Sequence, residues 1–496
     1  VVEVIPPAKA VTEGIEMGAA TLIVPIETKA RELYGKALLA MCAAEAGMDV
    51  VLGDQRVITQ SLHRLPVGIY LDKSISRTKT AHFARLKNLG FKLAAWCEEG
   101  LVYRDKGVYQ HERVSAQALE QVDAFFAWGD VQREDILEIV PQARDKIHVF
   151  GNPRFDLLRP ALRNVFKHDA QELRARFGRY ILINTNFSRF NRFPGRDDVA
   201  DILRQRGITL DAEQQAYYKS WVEHLGDVFR AFVSVIPRLA EAFPDHAIIV
   251  RPHPSENHER WRSELSGVNN VTVIGERNAI PWMMGADAVI HNACTTGVES
   301  FLLDRPTIAY VPIVHGVFNR LSYLPNAISK IVQSVDELIA EARKATDGDL
   351  ADPAAVEKKV WVQRYVGDFS GPLASERIVH ILLRLQQDVP ADGPKSWQQA
   401  STRLLSAARS TASRARRVLR PNKSLAAYMV QKFPELGLEE LQDVLNKISR
   451  ARGKKLSVSV AEHPQLVSCF LLRRQDSQAS AADFSGTPER RPVLAD

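Results

Sequence analysis

Cysteine is scarce. The 496 residues hold four, Cys42, Cys97, Cys294 and Cys469, far apart and without a C-x-x-C pair. That spacing argues against a disulfide framework and a thiolate zinc site, and fits reduced thiols in a cytoplasm. Long apolar runs are also missing. Segments such as Phe91 to Trp96 are strand-sized, and none approaches the ~20 residues a membrane-spanning helix needs. The chain starts Val1-Val-Glu-Val, with no initiator Met and no basic stretch leading into an apolar one. There is no P-loop, no G-x-G-x-x-G after a strand and no G-x-S-x-G. Neither sign of charge dominates: the net charge of +6 permits an anionic partner without demanding one.

What is present is alternation. Short apolar runs recur at Leu22 to Ile26, Val50 to Leu52, Gly68 to Leu71, Phe91 to Trp96, Ala124 to Trp128 and Ile147 to Phe150. Helical patterns lie among them, as at Arg31 to Ala46, Thr80 to Leu89 and Val131 to Val140. After a charged helical connector, Phe155 to Phe177, the alternation restarts. Its strands are Tyr180 to Ile183, His246 to Val250, Val271 to Ile274, Ala288 to Ile290 and Thr307 to Val311. A long helix is expected over Ala212 to Phe243 and a last one over Arg377 to Leu385. Strand–helix alternation of this kind indicates parallel sheets covered on both faces. The expected fold is α/β: two Rossmann-like doubly wound domains facing a cleft, plus a helical C-terminal extension. The expected boundaries are 1–178, 179–390 and 391–496, with a poorly structured lead-in over residues 1–20.

Three clusters fall where strands should end, the edge at which open parallel sheets bind ligands. Glu98-Glu99-Gly100 follows the Phe91 to Trp96 strand, and either carboxylate could take a proton from a sugar hydroxyl or attack an anomeric carbon. A charged surface turn would look the same. Arg251-Pro-His-Pro-Ser-Glu256 follows the His246 to Val250 strand. Its prolines stiffen the loop, so that His253 is held ready to bind a phosphate oxygen, or is simply exposed. His291-Asn-Ala-Cys-Thr-Thr-Gly-Val-Glu-Ser300 follows the third strand. Thr295, Thr296 and Gly297 stand at a helix start, where unpaired N–H groups and the helix dipole favour an anion. Thr is also an ordinary N-cap. Glu299 suits ribose hydroxyls, or merely compensates the dipole. Lys29 and Arg31, with Asn184 and Asn186, are further candidates for substrate binding. Asp347-Gly-Asp349 has the spacing of a metal-binding D-x-D but reads as a turn, so no metal and no cofactor is expected.

In this order the three motifs resemble those of bacterial glycosyltransferases of the two-Rossmann (GT-B) type that use CMP-activated sugars. The sialyl- and polysialyltransferases carry a D/E-D/E-G motif, an HP motif and a paired Ser/Thr motif, matched by Glu98-Glu99-Gly100, His253-Pro254 and Thr295-Thr296. The phrases Ile23-Val-Pro-Ile-Glu-Thr-Lys-Ala-Arg-Glu32, Gly151-Asn-Pro-Arg154 and Asn292-Ala-Cys-Thr-Thr-Gly-Val-Glu299 are similar to the surface-carbohydrate biosynthesis family that includes retaining β-Kdo transferases. That likeness runs from about Thr21 to Leu385. It implies transfer of Kdo or a related nonulosonic acid from a CMP donor to O-antigen, capsule or lipopolysaccharide, on a glycan acceptor that is lipid-linked. It further implies that Asn292, His253 and the Thr295 helix start bind the donor nucleotide, Glu299 its ribose, and that a carboxylate is the nucleophile. Glu98 or Glu99 come first for that role, with Asp72 and Asp156 behind. The fold also suits a UDP-N-acetylglucosamine 2-epimerase, a CDP-glycerol polyol-phosphate transferase, or a non-catalytic membrane scaffold.

Beyond residue 390 composition changes to Ser, Ala, Gln and Arg. Arg403, Arg409, Arg414, Arg416, Arg417, Arg420 and Lys423 form a basic run over 396–423, read either as a solvated helix or as one lying on an anionic membrane surface. The protein is therefore expected to be cytoplasmic, peripheral to the inner membrane if that helix binds it, and to bind no nucleic acid. Leu425 to Ile448 reads as a helical hairpin, and the last ~20 residues are compositionally disordered.

Overall fold

The computed structural model describes residues 21–195, 198–205, 207–314, 317–318, 321–349, 352–389, 397–419 and 423–475. The expected lead-in over 1–20, the final disordered stretch and the side chains of Arg414, Arg416, Arg417 and Arg420 lie outside them.

Two sheets organise the chain. The first is built from β1 (Thr21–Ile26), β2 (Asp49–Asp54), β3 (Gly68–Asp72), β4 (Lys92–Trp96), β5 (Ala124–Ala127) and β6 (Ile147–Val149), parallel and in the order β2-β1-β3-β4-β5-β6. The second is built from β7 (Tyr180–Asn184), β8 (Ala247–Arg251), β9 (Val271–Val273), β10 (Ala288–His291), β11 (Thr307–Tyr310) and β12 (Lys330–Val332), parallel and in the order β12-β11-β10-β7-β8-β9. Both are Rossmann-like, doubly wound sheets. Alternate residues of one strand feed different cores: Leu22, Val24 and Ile26 join one cluster and Ile23 the other. Burial on both faces explains why these strands read as apolar runs rather than as alternating ones.

In each sheet the winding reverses once, between β1 and β3 in the first and between β7 and β10 in the second. A reversal leaves a crevice at the carboxyl ends of the two strands.

The halves are tied together by buried charge. The helix Ala374–Gln386 packs back on the first half, where both oxygens of Asp156 accept backbone N–H groups at its start, Ala374 and Ser375, at 2.9 Å each. Arg154 Nε lies 3.0 Å from Glu299 Oε1, both side chains nearly buried. The Gly151-Asn-Pro-Arg154 turn thus pins the second half to the first.

The C-terminal segment is more than a helical extension. After helices Lys423–Lys432 and Leu438–Ala451, the chain forms β13 (Val458–Glu462) and β14 (Cys469–Arg474). This hairpin adds to the edge of the first sheet, β14 pairing antiparallel with β2, Phe470 opposite Leu52. The close approach needs a glycine: a Cβ on Gly53 would sit 2.4 Å from the Ser468 carbonyl oxygen and 2.7 Å from Cys469 Sγ. The helix Trp397–Leu419 is present, with Leu404 and Leu405 exposed. Among the described residues no helix is long and apolar enough to cross a membrane.

Candidate active site

A cleft of 680 Å³ lies between the two halves, and both reversal points open on it. From the first come Glu27, after β1, and Lys73, after β3, whose side chains form an ion pair. From the second come Asn186, after β7, and Asn292, after β10; the Asn186 N–H donates to Asn292 Oδ1 at 2.8 Å across the reversal.

On the first side a buried carboxylate sets the geometry. Glu32 accepts the Glu27 and Thr28 N–H groups at 2.9 and 3.1 Å and the Lys36 ammonium at 2.7 Å. Burial raises its pKa, but Lys36 and Arg31 outweigh that and hold it down at about 2. Arg31 reaches from Glu32, at 3.2 Å, to Glu99 Oε1, at 3.0 Å. The two acids of the Glu98-Glu99 pair part company here. Glu98 is 6% exposed; it accepts Trp96 Nε1 at 2.9 Å and faces Lys36 at 3.5 Å. Glu99 is 45% exposed and stands in the cleft. Desolvation raises the Glu99 pKa, while the charges of Arg31 and then Arg113 more than reverse this and hold the carboxyl well below its usual range.

On the second side the hub is Glu256, the last residue of the Arg251-Pro-His-Pro-Ser-Glu256 stretch. It is fully buried and accepts Thr185 Oγ1 (2.8 Å), the Phe187 N–H (3.0 Å), the His253 N–H (3.1 Å), Trp261 Nε1 (2.9 Å) and Asn191 Nδ2 (3.3 Å). Burial, only partly offset by these donors, lifts its pKa. One carboxylate therefore holds both the loop after β7 and the loop after β8. His253 lines the cleft, with Nδ1 accepting the Ser255 N–H at 3.1 Å. That bond assigns the ring proton to Nε2. Burial, with Arg31 nearby, pushes the His253 pKa down to about 3, so the ring is a neutral N–H donor.

The loop after β10 rests on His291. Its Nδ1 accepts the Ala293 N–H at 3.0 Å and its Nε2 meets Ser329 Oγ at 2.8 Å; burial lowers its pKa to about 3. Gly297 is small because of this ring: a Cβ there would lie 2.6 Å from His291 Nε2. Thr295 and Thr296 start the helix Thr295–Leu302 with no side-chain cap, and Thr296 Oγ1 lies 2.6 Å from Cys294 Sγ.

Of the residues singled out from sequence, Arg31, Glu98, Glu99, Asn186, His253 and Asn292 line the cleft together. Thr295, Thr296 and Gly297 stand behind Asn292, and Glu299 is occupied by Arg154. Pro254 turns its carbonyl to Gln431 at 2.7 Å. Lys29 lies in a separate groove, bonded to Glu440 at 2.6 Å. Asn184 is buried, and neither of its amide atoms is hydrogen-bonded. Asp72 is spent on Lys79 at 2.8 Å and Asp156 on its helix start, so neither is placed as a nucleophile. Asp347-Gly348-Asp349 is a helix stop, with Gly348 at φ 84°.

Sequence reasoning missed the contribution of the helix Lys423–Lys432. It crosses the cleft: Lys432 Nζ lies 2.9 Å from Glu27 Oε1, Tyr428 OH is 3.2 Å from Ser255 Oγ, and Gln431 holds the Pro254 carbonyl. It also missed Arg113 and Arg189, which line the cleft from opposite halves. Only the basic side chain next to the Phe187-Ser188 loop could have flagged Arg189.

No family model and no curated protein matches the chain. Solved structures do resemble it in fold. The UDP-GlcNAc 2-epimerase of Methanocaldococcus jannaschii, in complex with UDP-GlcNAc and UDP, is 13% identical, with a TM-score of 0.46, covering 73% of this chain and 99% of that one. The Neisseria meningitidis UDP-GlcNAc 2-epimerase bound to UDP-GlcNAc is 14% identical, with a TM-score of 0.45, covering 74% and 100%. The wall teichoic acid polymerase TagF is 10% identical, with a TM-score of 0.44, covering 74% and 89%.

Proposed function

We propose that the chain is a glycosyl-transferring enzyme of the two-Rossmann type that binds a nucleotide-activated donor in this cleft. The observation that carries the reading is the meeting of Glu99 and His253, one from each half, between two strand-order reversals. His253 Nε2 donates to a donor phosphate, Asn292 completes that pocket with the Thr295–Leu302 helix behind it, and Glu99 faces the reacting carbon. A carboxylate held so firmly ionised is a weak proton acceptor. It is better suited to act as an anion, attacking the anomeric carbon or stabilising positive charge that develops there. This favours Glu99 as the nucleophile of a retaining transfer of a CMP-linked nonulosonic acid such as Kdo to a surface glycan. No metal or other cofactor takes part in this reading.

A second reading is supported by the surplus of cations in the cleft. Arg113, Arg189 and Arg192 line it without an ion-pair partner among the described residues. They suit a nucleoside diphosphate, as in a UDP-GlcNAc 2-epimerase or a CDP-glycerol polyol-phosphate transferase. Calorimetric titration of CMP, CDP and UDP into the chain and into His253→Ala separates these. CMP preference lost in the variant supports transfer from a CMP donor. Preference for a diphosphate supports the second reading, and no binding of any nucleotide removes both in favour of a scaffold. On the same reading the helix Trp397–Leu419, with Leu404 and Leu405 exposed, brings the enzyme to an anionic membrane. Salt-insensitive or absent vesicle binding removes that part.

A further inference from the structure

Of the three cleft arginines without an ion-pair partner, Arg113 and Arg189 come from opposite halves of the chain. Arg113 ends the helix Lys106–Arg113 of the first half, and Arg189 stands in the loop after β7 of the second. Both are half-buried and line the same cleft. Neither guanidinium forms an ion pair or hydrogen bond with any described residue. They are close enough to repel: Arg189 is destabilised first by burial and then by Arg113, and Glu112 and Glu99 offset this only in part. Two guanidinium groups in one cleft, with no described carboxylate within ion-pair distance of either, raise the energy of the empty cleft. That cost is removed when an oxyanion bridges them, and the planar fork of arginine is shaped for carboxylate or phosphate.

The neighbours support this. Arg104 is engaged through one nitrogen and its face: Nη2 pairs with Glu112 at 3.3 Å and the guanidinium stacks on Tyr218 and Trp221 at 4.5 and 4.3 Å. Arg31 is engaged by Glu32 and Glu99. Arg31 and Arg104 thus each have a carboxylate at ion-pair distance, and Arg113 and Arg189 have none among the described residues.

We infer that Arg113 and Arg189 form a second oxyanion subsite, distinct from the His253 phosphate pocket. It takes the second negative group of the donor, either the carboxylate of an acidic sugar or the β-phosphate of a nucleoside diphosphate. Because one arginine comes from each half, the oxyanion bridges the halves across the cleft and screens the Arg113 charge that acts on Glu99. The inference deepens the proposed function and rests on its placement of the donor.

The test is a titration of the full chain, Arg113→Gln and Arg189→Gln with CMP, CDP, UDP and a CMP-linked nonulosonic acid, and with inorganic pyrophosphate alone. Thermal melting checks that each variant is folded, and Arg189→Lys keeps the charge while losing the fork. In each Gln variant the ligand with a second anionic group is expected to bind roughly ten- to a hundredfold more weakly, the scale of one charge-assisted hydrogen bond, while CMP changes less than threefold. Loss confined to the CMP-linked acid identifies the carboxylate; loss confined to CDP or UDP identifies the β-phosphate. Equal weakening of every ligand, CMP included, overturns the inference, as does no change in any. If the native chain binds no nucleotide, the proposed function falls. The subsite is then judged by pyrophosphate alone: tenfold weakening in both variants sustains it, and anything less overturns it.

Discussion

Lys432 Nζ lies 2.9 Å from Glu27 Oε1, so a helix near the C-terminus closes an ion pair with the loop after the first strand. Burial raises the Glu27 pKa, but Lys73 and Lys432 together outweigh it and keep Glu27 well below the carboxylate range. Residues that sequence composition sets apart as a tail are thus part of the cleft wall. Replacing Lys432 with Ala is expected to leave the fold intact and to raise the Glu27 pKa toward its ordinary value, measured by carboxylate NMR titration. An unchanged Glu27 titration contradicts the contact.

The hairpin beyond that helix depends on one missing methyl group. With Gly53 replaced by Val, the side chain meets the Ser468 carbonyl and Cys469. Hydrogen exchange in 458–474 is expected to rise sharply, while β1 and β3 keep their protection. Uniform exchange across the first sheet, or none, contradicts the packing.

Glu98 and Glu99 are expected to separate on substitution. Glu98→Ala leaves Trp96 Nε1 without its acceptor and removes a carboxylate from beside buried Lys36. A loss of about 2 kcal/mol in urea unfolding follows from an orphaned buried donor. Glu99→Ala breaks only a half-exposed ion pair and should cost no more than about 1 kcal/mol while abolishing turnover. Equal costs for the two contradict the assignment.

Glu256 carries the largest structural weight per residue in the site. Glu256→Ala strands five donors, and a loss of roughly 3 kcal/mol or more is expected, together with loss of nucleotide binding. Normal stability by urea denaturation contradicts its role as the hub.

Acid should unfold the protein in two stages. His253 and His291 have folded pKa values near 3 against an ordinary 6.5, so the unfolded chain binds more protons between those values. Their contribution is complete above about 6.5 and falls as pH drops toward 3. Glu32, held at about 2, adds a loss that begins only below its ordinary value near 4.5. The urea midpoint is expected to decline from pH 7 to 5 as the histidines charge in the unfolded chain, and His291→Gln should flatten that limb. A flat native profile over pH 7 to 5 contradicts their burial as neutral rings.

The sheets were legible because buried parallel strands leave uninterrupted apolar runs, and all the strands expected up to Val311 are present. The three strands not expected are of another kind. β12 is a three-residue edge strand with two exposed positions, and β13 and β14 are half-exposed and amphipathic. Of these, β14 is placed by a partner far off in sequence, β2. The acidic and His-Pro stretches were legible as strand ends. Which of two adjacent glutamates enters the cleft was not, because neighbouring side chains diverge and only Trp96 and Lys36 decide it. Glu256 and Lys432 were invisible as site residues because each acts through contacts that only the tertiary fold creates.

The central claim is that the donor nucleotide lies where the two strand-order reversals face each other. A crystal structure of the chain with its preferred nucleotide tests it most directly. The account expects a phosphate oxygen within hydrogen-bond distance of His253 Nε2, between the loops after β7 and β10, with Glu99 across the cleft. A nucleotide seated elsewhere, such as the groove beside Lys29 and Lys447, would contradict it.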